Sequence, residues 1–281
     1  MTPAFQHSQS ETLFLLVEGT LPHLTTELYR LPGLIKQAPI FLHPPYQALL
    51  SVSPILMEAT PEVQRWFIEL NQYQHGYFFS SHLTLSEAAQ SLRRLIMAET
   101  PENNTAFLRF FSTNVAYVLL DTQCAMLWQP MNTVWLHQSG QWQTLETPFN
   151  TPPEILNPTL KLTEEQWQRF QDQAWQVTLL KTLETHMLKW FPERCQHIDE
   201  LSDWVHTYME TAYAKGFETE QDLLYYFNII GYLGEEALLK SPYPSLTLLM
   251  DTPSLQTPSQ RIAQAASLAE QIANKQKESQ A

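Results

Sequence analysis

Ala106-Phe107-Leu108-Arg109-Phe110-Phe111 is the stretch on which the reading of this chain turns. A short run rich in aromatic side chains predicts a strand with covered faces. The arginine inside it is the exception. A guanidinium is costly to bury unless it is paired, so Arg109 is expected to bury its stem and meet an acid inside the fold. Such a pair would tie two parts of the structure together; direct contact with a ligand is the lesser expectation.

Outward from this strand, strand-like and helix-like segments alternate. Thr12–Val17 is a short apolar strand, followed by a helix around 23–30 and a strand-like stretch at 39–42 before Pro44-Pro45. A helix is predicted over 61–73, with Val63, Trp66, Phe67 and Leu70 on one face, and a strand over 76–80. Thr84-Leu85-Ser86-Glu87 fits a capping box, in which Thr84 and Glu87 satisfy the free amides of a helix running to about residue 98. A short helix follows at 114–120, and 132–137 and 141–145 flank Ser139-Gly140 as a hairpin. Strands alternating with helices imply an α/β lobe, a mixed sheet with flanking helices.

The remainder reads as helical. Fourteen of the nineteen prolines precede residue 159, and 161–240 holds only Pro192, so composition divides the chain. The predicted organisation is an α/β lobe over 1–150, a Pro-rich linker over 151–160, a helical lobe over 161–250 and a polar tail over 251–281. Thr163 and Gln166 cap a long first helix ending near Trp190, with Trp167, Phe170, Ala174, Val177, Leu180, Leu183 and Met187 as its stripe. A second helix spans about 198–215 and stops at Gly216. A third spans about 219–240, with Gly231 and Gly234 packed closely against a neighbour. In the tail, 258–277 has a thin apolar face and is expected to be partly disordered unless a partner covers it.

Composition excludes several functions. The formal charge is −13, and both parts are acidic: six Lys and Arg against eleven Asp and Glu in 1–150, ten against eighteen in 151–281. Binding to a phosphate backbone requires clustered cations, so nucleic acid is not an expected partner. The first residues lack the basic and apolar regions of a secretory signal. No stretch reaches the roughly 20 apolar residues of a membrane helix. Two distant cysteines suit a reducing compartment, and the protein is expected in the cytoplasm with no membrane partner.

The seven glycines form neither GxGxxG nor a phosphate loop, and HExxH and GxSxG are absent, so no cofactor, metal or catalytic residue is expected. Six residues remain as candidates for protein binding. Arg93 and Arg94 end a predicted helix, where the dipole favours cations; a solvated end outweighs an anchor for an acidic partner. Arg109 is the third. Trp128, Trp135 and Trp142 complete the set, because tryptophan is enriched at interface hot spots, although inter-lobe packing is the simpler role.

These motifs, in this order, resemble the type VI secretion effector adaptors called Tap or Tec chaperones. The resemblance is carried by Leu13–Val17, Ala38-Pro39-Ile40-Phe41-Leu42, Gly76-Tyr77-Phe78-Phe79-Ser80-Ser81 and Ser91-Leu92-Arg93-Arg94. Phe107-Leu108-Arg109-Phe110-Phe111 and Trp135 with Gly140-Gln141-Trp142 continue it, and Tyr213 to Phe217 with Gly231 and Gly234 extend it to longer members. Ser112-Thr113 stands where the family has Asp-Pro; either residue is expected to cap the next helix instead. The resemblance implies a non-enzymatic protein that holds a toxic effector in the cytoplasm and helps load it onto the spike protein. Its expected binding place is the cleft between lobes. A hydrolase-like enzyme with a site assembled from dispersed residues, and a regulatory interaction module, remain the alternatives.

Overall fold

The computed structural model describes residues 3–155, 159–239, 243–252 and 254–280. Part of the expected linker, at 156–158, and the expected stop of the third helix at Lys240 and Pro242 lie outside these residues. The chain forms two compact units, Met1–Gln171 and Asp172–Ala281.

In the first unit β1 (Thr12–Val17), α1 (Leu24–Arg30), β2 (Gln37–Pro39), β3 (Ile55–Glu58), α2 (Pro61–Leu70), β4 (Gly76–Ser81) and α3 (Leu85–Arg93) follow one another. Then come β5 (Met97–Glu99), β6 (Thr105–Phe107), α4 (Thr113–Asp121), α5 (Ala125–Trp128), β7 (Thr133–Gln138), β8 (Gln141–Glu146) and β9 (Leu160–Lys161). Single 3-10 segments occupy Tyr46–Val52 and Tyr73–His75. Six strands form one sheet in the order β2-β3-β1-β4-β7-β8, and its pairs are antiparallel. A smaller sheet, β6-β5-β9, mixes an antiparallel with a parallel pair. The expected α/β lobe and the helical region after it are both present.

Period-two alternation explains why consecutive residues at the middle of the central strands are apolar. Phe14 and Leu16 of β1, Tyr77 and Phe79 of β4, and Val134 and Leu136 of β7 join the core beneath α3, α4 and α5. Leu13, Leu15, Val17, Phe78 and Trp135 point the other way and meet Leu24 and Leu28 of α1 and Val63 and Phe67 of α2. Both faces are covered, so both are mainly apolar. The Thr84–Glu87 capping box forms as read from the sequence, and Ser139 and Gly140 both take positive φ in the hairpin turn.

Several boundaries differ from expectation. The helix before β5 ends at Arg93 rather than near 98, because Met97–Glu99 pairs with β6. β6 itself ends at Phe107. Arg109 therefore follows the strand instead of sitting within it. Ser112 is the N-cap of α4, but its side chain makes no capping bond. Thr113 does not cap either; its hydroxyl is fully buried and donates to the carbonyls of Tyr73 (2.7 Å) and Gly76 (3.1 Å). It joins the start of α4 to β4.

The helical region comprises α6 (Glu164–Trp190), α7 (Pro192–Cys195), α8 (Leu201–Ala214), α9 (Glu220–Leu233), α10 (Glu236–Leu239), α11 (Pro244–Asp251) and α12 (Pro258–Gln280). Thr163 and Gln166 exchange the two expected capping bonds at the start of α6. The stripe of α6 is not continuous. Trp167 and Phe170 pack on the first unit's core, and Leu179, Leu183 and Met187 lie in the second's. Between them Trp175 is 50% and Val177 67% exposed, so neither is a core residue.

Gly231 meets the expectation of close packing: a Cβ there would stand 2.4 Å from the Phe191 ring. Gly234 does not lie inside the helix. With φ +82° it terminates α9. The tail forms α12, whose Ile262, Ala265, Ala266 and Ala269 are buried in the second core with Ile229 and Ile230 of α9. Small side chains suffice there because two helices approach each other closely. Arg261 is buried in this unit and donates to the carbonyls of Leu249, Met250 and Thr252, closing the C-terminus of α11.

Candidate functional site

The site begins where β1 ends. Glu18 follows five buried apolar residues and is itself buried. Its carboxylate is the acid that Arg109 meets: Nη2 of Arg109 donates to Glu18 Oε1. Nδ1 of His75 lies 2.7 Å from Glu18 Oε2, and the Glu18 amide donates to the His75 carbonyl at 2.8 Å. Burial opposes ionisation of this carboxyl. The hydrogen bond to His75, the charge of Arg109 and a hydrogen bond from Thr20 outweigh it and hold the group below the ordinary glutamate range. An anionic Glu18 thus fixes one end of the guanidinium, and the Phe111 ring lies beneath it at 5.9 Å from its centroid.

Glycine 19 makes the next wall possible. A Cβ at this position would stand 2.1 Å from the Ser53 carbonyl oxygen. Only a bare backbone lets the end of the Tyr46–Val52 segment lie against the end of β1. Ser53 then binds the neighbouring loop, its hydroxyl accepting from the Phe41 amide at 2.8 Å and donating to the Pro54 carbonyl at 2.9 Å.

Arg93 braces the same loop from the end of α3. Its Nε donates to the Ile40 carbonyl at 3.2 Å and Nη2 to the Pro39 carbonyl at 2.8 Å. Partial burial lowers its pKa. Tyr77, fully buried, donates from its hydroxyl to the Phe110 carbonyl at 3.1 Å and fixes the segment after Arg109.

These ties border an open cavity of about 380 Å³ lined by Glu18, Thr20, Phe41, Leu49, Val52, Phe107, Arg109 and Phe111. Phe41 centres its aromatic wall, with ring centroids 5.9 Å from Phe107 and 6.4 Å from Phe111. Of the lining residues Leu49, Val52 and Phe107 are each between 41% and 47% exposed. Isolated exposed apolar residues are ordinary on a protein surface; three lining one cavity form a patch suited to protein contact. Arg109 is the only Lys or Arg among the lining residues.

The other sequence candidates are dispersed. Arg94 is exposed at the C-cap of α3. Trp128 is buried in the core beneath α3–α5 and donates to the Leu120 carbonyl at 3.0 Å. Trp135 is buried on the opposite face, where Phe5 stands edge-on to it at 5.6 Å. Trp142 is half-buried near Trp135's face, 5.0 Å from Tyr73 and 5.7 Å from His137. The sheet therefore separates Trp128 from the other two. Sequence reading missed Glu18, His75, Phe41, Leu49 and Val52. One local signal was present, a carboxylate directly after an unbroken apolar strand and directly before a glycine.

Among the described residues, no group of three His, Cys, Asp or Glu side chains is placed to hold a metal ion. Among the same residues, no helix is long and apolar enough to cross a membrane.

An α/β domain that continues into a helical region, with an apolar-lined cavity about one fixed guanidinium, defines the class of this protein. Residues 13–126 match the family described as "Domain of unknown function (DUF4123)". Over all of its 281 residues the chain is 41% identical to "Accessory protein VasW" of Vibrio cholerae, covering 95% of that protein. The chain belongs to the DUF4123 family, the type VI secretion adaptor family whose motifs its sequence carries. No solved structure matches it. The family segment contains Glu18, His75, Arg93 and Arg109 and ends before Trp128, Trp135 and Trp142.

Proposed function

We propose that this protein is a non-catalytic adaptor that binds a type VI secretion effector in the cytoplasm and helps load it onto the spike protein. Membership of the family supports this reading, and full-length similarity to a protein named as an accessory protein agrees with it. The observation that carries it is the surface around Arg109. Three partly exposed apolar side chains, Leu49, Val52 and Phe107, line a cavity whose walls are braced by buried hydrogen bonds. A binding surface held in shape before contact loses less conformational freedom on association. Effector binding belongs at this surface of the α/β unit, with Arg109 at its centre; Arg93 supports it from beneath. Trp128 and Trp135 serve the core.

The test is purification of the tagged protein from cells expressing the secretion genes, with mass spectrometry of what accompanies it. A toxin-like protein, with or without a spike protein, is expected. It should be lost from a Leu49→Asp variant that folds normally. Recovery of the protein alone, repeated under those conditions, overturns the adaptor reading.

A further inference from the structure

We infer that the cavity beside Arg109 receives a partner segment presenting a large apolar side chain next to a carboxylate. The inference rests on the adaptor reading above and adds the chemistry of the occupant.

Two properties of the cavity specify it. The first is its apolar wall, made by Phe41, Leu49, Val52, Phe107 and Phe111. At about 380 Å³ the space exceeds one aromatic side chain, and only an apolar group is stabilised by leaving water for such walls. Leu49, Val52 and Phe107 are exposed as well as lining the cavity, so its rim is apolar. A chain segment covers both the cavity and this rim.

The second property is unspent hydrogen-bonding capacity. A guanidinium has five N–H donors in a planar fork. Arg109 uses Nη2 toward Glu18, while Nε and Nη1 find no acceptor among the described residues. Glu18 is committed to Arg109, His75 and Thr20. Its side chain is 5% exposed while that of Arg109 is 56% exposed. The cation therefore meets the incoming partner and the anion stays behind it. A carboxylate matches the free edge of the fork in shape and charge. A segment that covers the cavity displaces water from around that contact and so strengthens it. A lysine or arginine at the same place would face Arg109 without an available acid.

The experiment selects a random phage-displayed peptide library on the purified full-length protein. Selected sequences should carry Asp or Glu within two positions of Leu, Ile, Met, Phe or Trp. Synthetic peptides of that consensus should lose about tenfold in affinity when the acid becomes its amide. Arg109→Gln should abolish the preference for acid over amide. Leu49→Asp should weaken both peptides, and it touches no buried pair if Arg109→Gln proves unstable. A consensus without acid, or equal binding of acid and amide by the unmodified protein, overturns the inference. Failure is separable from that of the adaptor reading. Peptides that bind as inferred while cells yield no effector sink the adaptor role alone. A captured effector with no acid preference at the cavity sinks only the occupant.

Discussion

Arg109 and Glu18 pair with their burial inverted: the carboxylate lies inside the fold and the guanidinium at its surface. The costly charge here is therefore the acid. Arg109 and His75 keep it ionised, and in return Glu18 fixes the cation that faces outward.

Loss of Arg109 should destabilise the fold, though less than a fully buried pair would suggest. Breaking a buried pair costs roughly 3–5 kcal/mol. Arg109 is more than half exposed and solvent screens it, and His75 and Thr20 remain with the carboxylate. Arg109→Ala is expected to lower stability by about 1–2 kcal/mol. Thermal unfolding of the variant beside the unmodified protein measures this, and an unchanged midpoint rules out the tie.

The same pair gives stability a dependence on pH. Glu18 titrates below its ordinary value in the folded protein, so the unfolded chain binds this proton more readily. Its contribution is complete above the unfolded glutamate pKa, roughly 4.3. It disappears as pH falls through the lower, folded value. The gap in melting temperature between the unmodified protein and Glu18→Gln should be widest near neutrality and close in acid. A gap that stays constant from neutral to acid pH would mean that the ionised form gains nothing from its partners.

At the start of α4 the two adjacent hydroxyls should behave oppositely. Ser112 makes no capping bond, so Ser112→Ala should change stability little. Thr113 donates to two carbonyls from a fully buried position. Thr113→Val keeps the shape and removes the hydroxyl, at an expected cost of about 1–2 kcal/mol. Chemical denaturation of both variants decides the matter; equal losses would contradict the observed bonds.

The neighbouring arginines of α3 should also separate. Arg93 holds the Pro39 and Ile40 carbonyls, and Arg93→Ala should cost about 1–3 kcal/mol and loosen the loop that carries Phe41. Arg94 is exposed, and Arg94→Ala should leave the fold intact. Hydrogen exchange at the Ile40 and Phe41 amides, in both variants, reports the loop directly.

Local chemistry carried much of the fold. The Thr84–Glu87 and Thr163–Gln166 boxes, the Ser139-Gly140 turn and the β1 and β4 runs each depend on residues within a few positions of one another. Short elements whose partners are distant were not legible. β3 and β5 are three or four residues long and exist because β1, β2 and β6 lie alongside them. The tail helix α12 has a stripe too thin to predict order, and α9 supplies the cover.

By itself the sequence determined the alternation of strands and helices, the division in composition, and the family motifs. Each is written in neighbouring residues or in their order. Only the tertiary structure decided that Arg109 stays more than half exposed and that the acid it meets is buried, 91 positions away. It also decided that Trp128 and Trp135 face opposite cores, and that Leu49 and Val52 share a cavity with Arg109. Such pairings follow from strand register and from the close approach of Gly19 to Ser53, and packing sets both across the whole chain.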